Sequence, residues 1–347
     1  MNVPNPSVQA DYTVVGGGAI GGTLAWHLSR AGHVVIIVDT DLAHIAAINT
    51  KGLILERAGQ RSAQSVTAIP PSEAVPPLHR VLLAVKAQAT ETAAAWAAPR
   101  LAEDGFIISV QNGLNEDVIA AHVGKDRTLG AFVDLFADVI EPGVISDGGQ
   151  GALAVGELNG TISDRVRQVV ADLQAWGPAQ ATTNLHGYLW AKLAFGAMLT
   201  ATALADAPMA ELLDRHRATA YALAAEVTGL AERMGIQLEP FDAFEPDHYL
   251  PSADPAVREA ATDRLIAWLS TQAKNRSGIW RDIAVRHRPT EVPTHYRPVL
   301  ELAAGHRIDA TVLAAMLDEL AEVETDPSTM NEERLTRLDM LAQGTAA

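Results

Sequence analysis

Residues 12–39 carry the pattern that most narrows what this chain can become. An apolar stretch, Tyr12–Val15, runs straight into GGGAIGG; residues 23–30 follow at helical spacing, Gly32 ends them, and 34–38 is a second apolar stretch. Strand, turn, helix and strand within roughly 30 residues imply two parallel strands joined by a right-handed crossover. The glycines fall where such a unit needs them. Gly16 allows the tight turn, Gly18 lets the backbone approach a pyrophosphate, and Gly21 lets helix and strand pack closely. The free N–H groups and the positive end of the helix dipole then make an anion site, with Ala19 and Ile20 of the loop beside the cofactor. A lone Gly-x-Gly-x-x-Gly says little, and a glycine-rich turn without ligand is the bland alternative. With both strands and the helix in place it reads as a dinucleotide fingerprint. Asp39 closes the second strand, where a carboxylate accepts from ribose hydroxyls and repels a 2′-phosphate. The next Lys or Arg is Lys51. NAD is therefore favoured over NADP; Asp41 is a candidate second acid, with a surface or N-cap residue the plainer reading.

The alternation continues. Residues 81–85 read as a strand, 88–101 as an Ala-rich helix, 106–110 as a strand ending in QNG, Glu116–Val123 as a helix and 128–138 as a strand. Residues 143–146 and 153–155 read as an antiparallel pair joined by a turn at 147–151. Beyond about residue 160 strand signals fade, and helices are predicted over 162–176, 189–204, 209–234, 255–273, 296–304 and 311–324. The Pro-rich, aromatic stretch 236–254 is either a flap or a plain connection. The expected class is α/β: an N-terminal Rossmann domain with a parallel sheet, 1–183, then an all-helical domain, 184–347.

Composition removes several alternatives. The chain has no cysteine, which excludes disulfides, thiolate metal sites and a Cys nucleophile. A formal net charge of −16 repels phosphate backbones and anionic membranes, so neither nucleic acid nor a membrane is an expected partner. The first residues lack a basic and apolar leader pattern, and a cytoplasmic location is expected. His186, His248, His287 and His295 lack metal-ligand spacing, and no metal is expected.

Seven segments in order, VVGGGAIGGTLAWHLSRAGHVV, LLAVKAQAT, ISVQNGLNE, VGEL, LWAKLAF, RSGIWRDI and RPTEV, make the chain resemble the ketopantoate reductases (2-dehydropantoate 2-reductases) over almost its whole length. The resemblance implies a general acid at Lys192, which would protonate a carbonyl oxygen as hydride arrives. It implies that Glu291 orients substrate or tunes Lys192, with a place beside the cofactor. It puts Lys86 and Asn112 along cofactor and substrate, Asn112 near the reacting centre, and it implies a homodimer formed through the helical domain. Read without it, Lys192 is a lysine snorkelling from an apolar helix, Asn112 a turn residue and Glu291 a surface acid.

The substrate-binding positions depart from the family. Asn is expected four and eight residues beyond the lysine, gripping substrate hydroxyls; here those positions are Gly196 and Thr200. The serine expected to bind the substrate carboxylate falls on Gly278, beside Ser277. Such losses point to a substrate with fewer hydroxyls, or a bulkier one filling the space beside Gly196. Trp280, Tyr188, Tyr249 and Tyr296 are candidates for an aromatic wall, with core packing the plainer use. The expected activity is NAD(H)-dependent hydride transfer at a carbonyl or alcohol carbon of a small substrate other than ketopantoate. Ketopantoate reduction itself, imine reduction and a non-catalytic dinucleotide sensor are the rivals.

Overall fold

The computed structural model describes residues 9–74, 76–272 and 274–345. They form two compact units, one ending at Leu185 and the other beginning at His186.

The first unit runs β1 (Tyr12–Val15), α1 (Ala19–Arg30), β2 (Val35–Val38), α2 (Leu42–Lys51), β3 (Leu53–Arg57), β4 (Gln60–Gln64), β5 (Thr67–Ile69), β6 (Leu78–Leu83), α3 (Thr90–Ala97), β7 (Leu101–Ser109), α4 (Glu116–Val123), β8 (Thr128–Glu141), β9 (Val144–Glu157), α5 (Asp164–Leu173) and β10 (Ala179–Ala181). The sheet order is β4-β3-β9-β8-β7-β6-β1-β2-β5, with β10 on β9. From β8 to β5 every pairing is parallel. Strands so placed are buried on both faces, which is why they are written in nearly unbroken apolar residues. Val14, Ile37, Leu82 and Ile108 face a core shared with Leu24 and Leu28 of α1 and Val166, Val169 and Leu173 of α5. Val15, Val38, Leu83 and Ile107 face the other way, onto Ala94 and Ala97 of α3 and Ile119 of α4. Each Val, Leu or Ile buried this way stabilises by ~1.5–3 kcal/mol.

Two departures from the sequence expectation concern β9. It is one strand of 14 residues, not two short ones around a turn at 147–151. The reversal lies earlier, at Pro142 and Gly143, where Gly143 has a φ of +77°. The later glycines serve the ladder. A Cβ at Gly148 would stand 2.8 Å from the Phe136 carbonyl oxygen, and one at Gly151 2.3 Å from that of Asp134. The β8–β9 register shifts between Val133 and Leu135 and again before Ala137, so these are bulge glycines that let two backbones close in.

The second unit is helical: α6 (Leu185–Ala201), α7 (Met209–Arg215), α8 (Arg217–Arg233), α9 (Pro255–Thr271), α10 (Gly278–Ala284), α11 (Val292–His306), α12 (Thr311–Thr325) and α13 (Glu333–Thr345). The single helix expected over 209–234 is broken at His216, whose φ and ψ are −119° and +47°. Its Nδ1 lies 2.6 Å from Asp339 Oδ2 and its Nε2 3.1 Å from Glu332 Oε1. Asp339 also accepts from Thr219 N at 2.9 Å and Thr219 Oγ1 at 2.6 Å, so groups on and beside α13 hold the joint open. The segment 236–254 is a packed connection. Phe241, Phe244 and Tyr249 are buried, and the Phe244 and Tyr249 rings stack at 5.1 Å. Among the described residues no single helix is long and apolar enough to cross a membrane.

Candidate active site

β1 has β2 on one side and β6 on the other, so the loop after β1 opens at the point where the chain changes direction across the sheet. Gly16, with a φ of +96°, is wedged there: a Cβ would stand 2.8 Å from Val85 N and 2.9 Å from the Ala84 carbonyl carbon. Gly16 N donates to Val38 O at 2.8 Å, and Ala84 N to Val15 O at 2.8 Å, tying the loop to both neighbouring strands. A Cβ at Gly21 would meet Gly16 O at 2.1 Å, so α1 lies on the turn only without a side chain there. Gly18 is the opposite case. It caps α1 with no side-chain bond, and a Cβ there would meet nothing within 4 Å. The first N–H groups of α1, with Ala19 and Ile20 half-buried at its start, thus lie behind an open approach, which suits a pyrophosphate.

Asp39 is half-buried and fixed at both oxygens. Oδ2 accepts from Gly17 N at 2.7 Å and Oδ1 from Asp41 N at 2.9 Å. A carboxylate oxygen has about two acceptor sites, so each keeps room for a hydroxyl donor. Asp41 caps α2, accepting from Ala43 N at 2.9 Å and His44 N at 3.1 Å. His44, which sequence reasoning passed over, is buried beneath the loop. Gly143 N donates to its Nδ1 at 3.0 Å, so the hydrogen sits on Nε2 and is donated to Gly17 O at 2.9 Å. The residue that bonds Asp39 through its N–H is thus held by His44 through its carbonyl.

Lys86 and Asn112 are exposed just past β6 and β7. A buried chain of polar groups joins the two segments. Gln111 Nε2 donates to Val85 O and to Thr90 Oγ1, both at 2.8 Å. Thr90 Oγ1 donates to Asn115 Oδ1 at 3.1 Å, and Asn115 Nδ2 to Asn112 O at 2.7 Å. Asn115 N in turn donates to Glu116 Oε2 at 3.1 Å. Burial pushes the Glu116 carboxyl up from its ordinary 4.5 to about 7. Gln111, Asn115 and Glu116 surround Asn112 in sequence; polar residues packed so densely after an apolar strand were the available signal.

In the helical unit Lys192 is half-buried on α6 between the buried side chains of Ala191 and Leu193. One turn on, the space beside Gly196 is already filled. A Cβ there would stand 2.8 Å from Tyr296 Oη, and Tyr296 is only 2% exposed. That overturns the expectation of a bulkier substrate in this space: the chain's own tyrosine occupies it. Thr200 is fully buried, and its hydroxyl donates to Gly196 O at 2.7 Å. Ser277 is buried as the N-cap of α10, its Oγ accepting from Trp280 N at 3.1 Å, while Gly278 is exposed. Glu291 stands half-buried at the N-cap of α11, its carbonyl accepting from Thr294 N at 3.0 Å and His295 N at 3.1 Å. Of the aromatic candidates, Tyr249 and Tyr296 are core residues, at 1% and 2% exposure.

The family described as "Ketopantoate reductase PanE/ApbA" matches residues 12–160, and its C-terminal counterpart matches 184–324. The 2-dehydropantoate 2-reductase of Mesorhizobium japonicum is 28% identical over 253 residues, 65% of this chain and 77% of that protein. The one from Archaeoglobus fulgidus is 27% identical over 319 residues, 90% of this chain and 97% of that protein. Among solved structures, D-mandelate dehydrogenase with NADH and anilino(oxo)acetate aligns with a TM-score of 0.76 at 17% identity, covering 96% of this chain and 99% of that one. A PanE/ApbA family ketopantoate reductase from Ralstonia eutropha aligns with a TM-score of 0.73 at 23% identity, over 96% and 99%. This family and its curated members place the chain among the pyridine-nucleotide-dependent oxidoreductases acting on CH–OH or C=O groups. The chain belongs to the ketopantoate reductase family.

Proposed function

We propose that this protein is an NAD(H)-dependent oxidoreductase that interconverts a 2-oxo acid other than ketopantoate, one with fewer hydroxyls, and its 2-hydroxy acid, with Lys192 handling the proton. The observation that carries the cofactor choice is Asp39. Tethered to Gly17 N and Asp41 N, it presents acceptors to a ribose diol and a negative charge to a 2′-phosphate. When bound, the nicotinamide gives or takes the hydride. The chain's own residues do the rest. The start of α1 holds the pyrophosphate, and Gln111, Thr90 and Asn115 hold the Lys86 and Asn112 segments in place. A carbonyl oxygen gaining hydride becomes an alkoxide; the Lys192 ammonium stabilises it and passes it a proton, and takes one back in the reverse direction. Glu291 orients the substrate or tunes Lys192. The substrate class is supported by the relatives' names, since 2-dehydropantoate and mandelate are a 2-oxo and a 2-hydroxy acid.

A second reading, ketopantoate itself as substrate, is favoured by the names of the curated relatives. The two part in one assay. Purified protein is mixed with NADH or NADPH and a panel of 2-oxo acids that includes ketopantoate, and oxidation of the nicotinamide is followed. Turnover with NADH on acids lacking a hydroxyl supports the proposal. Fast reduction of ketopantoate by NADPH alone overturns it.

A further inference from the structure

Positions 192 and 196 are one helical turn apart on α6 and share a face. What stands at 196 therefore lies beside whatever Lys192 protonates. Position 196 has no side chain, and its volume belongs to Tyr296 of α11, whose Oη is 2.8 Å from where a Cβ would be. That hydroxyl has little freedom to swing aside. Its ring is buried, and Oη donates to Leu193 O at 2.8 Å. One turn further, the Thr200 hydroxyl donates to Gly196 O at 2.7 Å. Both hydroxyl protons on this stretch are thus consumed by carbonyls of α6. Neither is offered to a ligand.

We propose that Tyr296 is a specificity-determining residue. By filling the volume of side chain 196 it closes this face of α6 to substrates with a hydrogen-bonding group beside the reacting carbonyl, and it favours 2-oxo acids whose substituent there is apolar. The inference rests on Lys192 as proton donor. A substrate hydroxyl pressed against this face loses its water without gaining a partner, which discriminates by roughly tenfold to a hundredfold.

The test uses trimethylpyruvate and ketopantoate, which differ by one hydroxyl, in the wild type, Gly196→Asn, Tyr296→Ala and the double variant. The expected kcat/KM ratio favours trimethylpyruvate in the wild type. In the double variant, where an amide gains room, it moves toward ketopantoate by roughly tenfold or more. A second measurement is independent of turnover. Gly196→Ala lowers the melting temperature in the wild-type background but raises it in Tyr296→Ala, because the clash exists only with the tyrosine and alanine is otherwise the better helix residue. Additive melting shifts, or a folded, NADH-binding double variant with an unmoved ratio, overturn the inference. Lys192→Ala separates the two levels. If it still turns over, the underlying reading fails; if it is inactive while the ratio stays put, only the role of Tyr296 fails.

Discussion

On the proposed reading, Asp39 is the side chain that chooses between NADH and NADPH. Asp39→Asn keeps one acceptor oxygen but removes the charge that opposes a 2′-phosphate. The expected result is a fall in the NADH-to-NADPH preference, read as a ratio of kcat/KM, by roughly tenfold or more. An unchanged ratio would mean that Asp39 does not face the ribose. His44→Ala leaves Gly17 O and Gly143 N without their partner, and the glycine loop loses its support from below. NADH should then bind roughly tenfold more weakly in a fluorescence titration, with little change in NADH-to-NADPH preference. The glycines and Asp39 were legible in the sequence because their roles are local: a turn, a close approach, an acid ending a strand. His44 was not, because its partners are Gly17 and Gly143, both distant along the chain. Nor was the pairing of Gly196 with Tyr296, which joins residues a hundred positions apart on two helices. A missing side chain looks like an opening until its neighbour is known.

At the scale of elements, β1, β2, β6, β7 and α4 matched their apolar pattern, since strands buried on both faces leave little ambiguity, whereas the short parallel strand β5 was not read from the sequence. The sequence misled where glycine clusters stood. Gly148, Gly149 and Gly151 look like a turn, yet they sit inside β9, where Gly148 and Gly151 keep a bulged ladder from clashing. Gly151→Ala would drive a Cβ into the Asp134 carbonyl oxygen and should destabilise the first unit by ~1–3 kcal/mol in denaturant unfolding. The break between α7 and α8 was invisible because its cause lies at Glu332 and Asp339. His216→Ala should therefore loosen α13, seen as faster amide exchange there, while α9 keeps its protection. Continued protection of α13 would assign the break to local propensity instead.

For the whole molecule, pH acts through carboxyls that folding keeps from water. Glu116 is raised from 4.5 to about 7 by burial. Between those values the folded chain holds a proton that the unfolded chain has released. The stabilisation is complete below the unfolded value and is lost as pH rises through the folded one. The melting temperature should fall from about pH 5 to about pH 8, and Glu116→Gln should flatten part of that slope, worth up to about 3 kcal/mol. The net charge of −16 adds self-repulsion in the same direction, but salt screens that part and leaves the contribution of the buried Glu116.

The proposed function has the chain move hydride with NAD(H) and a proton through Lys192. Its most direct test is the single-turnover rate of NADH oxidation by an apolar 2-oxo acid in the wild type and in Lys192→Ala, with NADH binding measured on both. Equal NADH binding and a rate lower by roughly a hundredfold to ten-thousandfold are expected in the variant. Equal rates in the two proteins would contradict it.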